Sequence, residues 1–77
     1  MGKATKALMA AAISDLQKAY DKIEYCRADE ERAYNSIPES VQKAPAGQRL
    51  AAEIKCLEAV LADLCEMIDT AGDAFGE

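Results

Sequence analysis

The stretch Asp29 to Gly47, DEERAYNSIPESVQKAPAG, decides the fold. Pro38 and Pro45 lack backbone donors and push the residue before each out of the helical region, so no continuous helix can run through it. Ser36 and Glu39 have the spacing of a capping box, with Pro38 in the first turn where its missing donor costs nothing, so PESVQ is expected to form one helical turn. Ala44, kept extended by Pro45, and then Gly47 mark the end of that turn and the start of a new helix near residues 45 to 47. The stretch is therefore a corner between two helices.

Upstream of the corner, Met9, Ile13, Leu16, Tyr20, Ile23, Tyr34 and Ile37 recur at alternating steps of four and three, once Arg27 and Glu30 are counted in the same row. Downstream, Leu50, Ile54, Leu57, Leu61, Leu64, Ile68, Ala71 and Phe75 keep the same steps with no charged interruption. Folded about the corner, positions whose numbers add to 84 face each other, from Tyr34 with Leu50 through Glu30 with Ile54 and Arg27 with Leu57 to Met9 with Phe75. Eight consecutive levels hold this register, which predicts an all-α fold, an antiparallel, coiled-coil-like two-helix hairpin. Residues 1–77 are read as one domain, with helix one over about 3–35, the corner and its single turn over about 36–45, and helix two over about 46–75.

Composition points the same way, because 51% hydrophobic residues with one Phe, three Tyr and no Trp leave Ala, Leu and Ile as the apolar stock, which suits packed helices. Beside the seam of helix one runs a row of small residues, Ala12, Ala19, Cys26 and Ala33. Beside that of helix two run Val60, Met67 and Ala74 on one flank and Ala51, Cys65 and Gly72 on the other, broken by Glu53 and Glu58. This apolar surface is wider than one partner helix covers. A homodimer closing into a four-helix bundle is expected, with Val60, Met67, Cys65, Ala12, Ala19 and Ala33 at the interface.

The net charge of -5 is uneven, +2 over residues 1–28, -3 over 29–42 and -4 over 43–77, with no basic residue after Lys55. Such a chain repels phosphates, so direct nucleic-acid binding is not expected, and a basic protein surface is the natural partner. Glu58, Glu66, Asp69 and Asp73, spaced along helix two, are the candidate partner-binding residues. Asp69, Asp73 and Glu77 lie toward a helix C-terminus, where carboxylates are disfavoured, and Lys3 and Lys6 of helix one are expected nearby to offset this. Asp63, Glu66 and Asp69 have a D-x-x-E-x-x-D spacing that suits Mg²⁺, but solvated acids on an exposed face explain it as well.

The chain has no histidine, which excludes Ser/His and Cys/His nucleophilic pairs and most zinc sites; no enzymatic activity and no cofactor are expected. Cys26, Cys56 and Cys65 lack the pairing of a disulfide framework and read as reduced thiols of a cytoplasmic protein, with Cys26 and Cys56 within about a turn of each other across the hairpin. The apolar run in MGKATKALMAAAI continues in register into helix one, so neither a leader nor a membrane span is expected. Arg27, Glu30 and Glu31 form a polar layer in the seam, with Arg27 expected to pair with Glu30 and Glu31 within reach, a device that sets register or oligomeric state.

At DEERAYNSIPESVQ the chain resembles small acidic helical-hairpin proteins of phages, prophages and other mobile elements. Asp29, Glu30, Glu31, Ala33, Pro38, Glu39, Ser40 and Gln42 carry the resemblance. It implies a protein-protein interaction module that binds and blocks a host defence protein, as anti-CRISPR inhibitors do. Two alternatives stay open, an assembly adaptor working through its apolar faces and an oligomeric sponge for a signalling nucleotide.

Overall fold

A computed structural model describes residues 2–76. The described residues contain helices only: α1 (Lys3–Ser36), α2 (Glu39–Lys43) and α3 (Pro45–Phe75). α1 and α3 pack along their length into a rod of 58 × 15 × 15 Å, and α2 packs against α3. The chain order is antiparallel: Lys6 lies beside Ala74 and Phe75, Tyr20 beside Cys65 and Ile68, and Tyr34 beside Ala51 and Ile54.

The heptad rows are the rows that turn inward. Met9, Ile13, Leu16, Tyr20, Ile23, Arg27, Glu30, Tyr34 and Ile37 are all half-buried, as are their counterparts on α3 apart from Leu61. Among the described residues Leu61 is the one hydrophobic side chain that is buried, at 6% exposure. Two helices share one line of contact, so a seam side chain is covered on one side and open on the other.

The corner has two bends, and each precedes a proline. Ile37 (φ -91°, ψ 148°) and Ala44 (φ -74°, ψ 163°) are extended, as the following proline rings require. Between them the Val41 and Gln42 amides donate to the Pro38 carbonyl at 2.9 and 3.0 Å, making the single turn α2. The capping box does not form. Pro38 itself is the N-cap of α2, and Ser36 ends α1 by donating its hydroxyl back to the Ala33 carbonyl at 2.8 Å. The geometric cause is Ile37, whose extended backbone puts Ser36 on the far side of the bend. Gln42 supplies the missing closure instead, its side-chain amide donating to the Tyr34 carbonyl at 2.9 Å across the corner.

Gly47 is helical and needs no unusual backbone angle; it is buried because α2 lies against it. A Cβ there would collide with the Val41 and Gln42 carbonyl oxygens and come within 2.5 Å of the Gln42 Cα. The glycine thus sets how closely α2 folds back on α3.

Candidate functional site

In a heptad helix the seam has two flanks, and the hairpin brings like flanks together. On one side, Cys26 and Glu30 of α1 share a shallow hollow with Glu53, Cys56 and Leu57 of α3. The heptad places Ala12, Ala19 and Ala33 on the same flank of α1 and Val60, Met67 and Ala74 on the same flank of α3. Ala12, Ala33, Val60 (42%) and Met67 (54%) are exposed, and Ala19 is half-buried. The opposite side is polar: Gln17, Tyr20 and Asp21 face Cys65, Ile68 and Asp69, and Glu31, Tyr34 and Asn35 face Ala51, Lys55 and Glu58. Cys65 therefore lies on the polar side, away from Val60 and Met67.

The polar seam layer is split between these sides. Arg27 does not pair with Glu30. Its guanidinium donates to Glu24 at 2.6 Å and to Glu31, both on the polar flank. Arg27 occupies the seam position next to that flank, and Glu30 occupies the one next to the apolar flank, so their side chains diverge. The bond to Arg27, with its positive charge, holds the Glu24 carboxyl below its ordinary value of 4.5, and the two carboxylates raise the guanidinium further.

Glu30 instead meets Glu53. Its Oε2 atom is buried and has no donor, because the group across the hairpin is another acid. A bond between them exists only when one carboxyl holds a proton and donates it. That shared bond, then burial, then repulsion from Glu53 and Asp29, raises the Glu30 carboxyl above 4.5. The positions of Glu30 and Glu53 add to 83, one short of the level pairing, and that near-miss was the available signal for a contact the seam reading assigns to Ile54.

Glu58, Glu66, Asp69 and Asp73 fall within an arc of about 80° around α3. Glu58 and Asp69 lie about 20° apart around α3, as do Glu66 and Asp73, and the two pairs are offset by about 40–80°. Accordingly Glu58 and Asp69 border the polar side of the hairpin, while Glu66 lies with Asp63 and Met67. All four are exposed. Among the described residues no group of three His, Cys, Asp or Glu is placed to hold a metal ion, and Cys26, Cys56 and Cys65 are free and exposed. Every ion pair among the described residues lies within one helix: Arg27 with Glu24 and Glu31, Arg32 with Asp29, and Lys43 with Glu39. The expected pairing of Lys3 and Lys6 with Asp69 and Asp73 is not formed; Lys6 instead borders Ala74, Phe75 and Gly76. Glu77 lies outside the described residues.

No family model matches the chain, and no curated protein or solved structure matches it either. Among the described residues no helix is long and apolar enough to cross a membrane.

Proposed function

We propose that the chain is a non-enzymatic protein-protein interaction module that pairs with a second copy through its apolar side and offers its acidic surface to a host protein. Exposed area carries this reading. A compact monomer of 8.3 kDa has an accessible surface of about 4,600 Å². The single hairpin exposes 5643 Å². The excess, about 1,000 Å², is of the order of one partner's share of a standard interface, about 800 Å².

Shape argues for a second copy as the occupant. On the apolar side a row of small residues on α1 runs beside Val60 and Met67 on α3. A two-fold axis along the rod sets each α1 over the other copy's α3, small residues against large, and closes a four-helix bundle. The acidic outer surface, including Glu58, Asp69 and Asp73, is left free for a partner with a basic face. The phage-like corner directs that partner reading to a host defence protein whose nucleic-acid channel such a surface would occupy.

Two measurements test the parts separately. Sedimentation velocity at micromolar concentration should give a dimer for the wild type and a monomer of unchanged helicity for Met67→Lys. A wild-type monomer would end the bundle reading. In a nuclease interference assay, Asp69→Lys with Asp73→Lys should abolish inhibition while the dimer persists; a wild-type dimer that inhibits no nuclease would end the defence reading.

A further inference from the structure

The apolar side is not uniformly apolar, because the Glu30 and Glu53 carboxyls sit in it next to Leu57. Resting on the dimer reading above, we propose that self-association of the hairpin is proton-linked, with the Glu30 and Glu53 pair of each copy taking up a proton from solvent as the bundle closes.

Among the described residues no cation pairs with either of these carboxyls. On α1, Arg27 is held by Glu24 and Glu31, and Arg32 by Asp29. On α3, Arg49 stands one turn before Glu53 but forms no ion pair with it among the described residues. The other titratable groups in the hollow are the Cys26 and Cys56 thiols, which supply no positive charge. On α2, Glu39 and Lys43 pair with each other at 3.0 Å. Glu30 Oε2 is already cut off from water with no donor.

A two-fold axis along the rod adds a second effect. It keeps every residue at the same height in both copies, so the two acid pairs meet at one level of the bundle. Four carboxyls at that level, with water excluded by the facing apolar residues, cannot all stay ionised. The associated state therefore binds more protons than the separate hairpins. Association strengthens as pH falls toward the ordinary carboxylate range and weakens as pH rises above it.

The test is sedimentation velocity over a concentration series at about pH 5 and about pH 8, at constant ionic strength, with circular dichroism as the check on folding. Wild type is compared with Glu53→Gln and Glu30→Gln. The wild-type dimer dissociation constant should be about tenfold or more higher at the upper pH, the effect of one proton held a pH unit more tightly. Both variants should dimerise at the two pH values with constants close to the wild type's at the lower one. A wild-type dimer whose constant does not change with pH overturns the proton linkage and leaves the bundle standing. Variants as pH-sensitive as the wild type overturn the assignment to this pair, and attribute the effect to the general acidity of the chain. Monomers throughout overturn the bundle itself.

Discussion

Glu30 of α1 turns its carboxyl to Glu53 of α3, and not to Arg27 one turn earlier on its own helix. An acid facing an acid beside an apolar seam makes the hairpin's stability depend on pH in a definite sense. The Glu30 carboxyl lies above its ordinary value of 4.5 when folded. Its contribution is thus fully present below 4.5 and is lost as pH rises through the folded value. The melting midpoint followed by circular dichroism should fall as pH is raised from about 5 to about 8, and Glu53→Gln should flatten that slope.

Arg27 gives the opposite dependence at lower pH. It holds Glu24 below 4.5, so that contribution is present above 4.5 and disappears as pH falls through the depressed value. Arg27→Gln should remove this acid-side loss of stability while leaving the dependence due to Glu30 in place, in the same melting series extended into acid.

At the corner, Gly47→Ala forces a methyl group into the carbonyls of α2. Overpacking of this kind costs about 1–3 kcal/mol, to be read by urea denaturation. Gly72 is the control: a Cβ there meets nothing within 4 Å, so Gly72→Ala should stabilise α3 by about 0.4–1 kcal/mol.

Gln42 ties α2 to the last turn of α1 through the Tyr34 carbonyl. Gln42→Ala removes that bond and should cost about 0.5–1.5 kcal/mol in the same denaturation experiment. Restoring Ser36 as a cap is not an available compensation, since its hydroxyl is committed to Ala33.

These contacts show which parts of the structure are legible from the chain. The seams were legible because a period of alternating fours and threes survives the whole of both helices, and each residue in it turns inward. The bends were legible because a proline restricts its predecessor whatever the surroundings. The choices among side chains were not. Arg27 has acids three residues before it and three and four after it, and only the flank to which its seam position leans separates Glu24 and Glu31 from Glu30. Glu53 looked like a break in an apolar flank because its partner is on the other helix. Gly47 reads as a helix start in sequence, and its tight contact with α2 depends on how far the two bends fold the turn back.

Small-angle X-ray scattering tests the bundle most directly. A side-by-side pair with its axis along the rod doubles the 8.3 kDa mass while the longest dimension stays near 58 Å. Forward scattering at twice the monomer mass with that length unchanged is the result expected at about pH 5. Scattering from a single 8.3 kDa rod, or a doubled mass with a longest dimension approaching twice 58 Å, would contradict it.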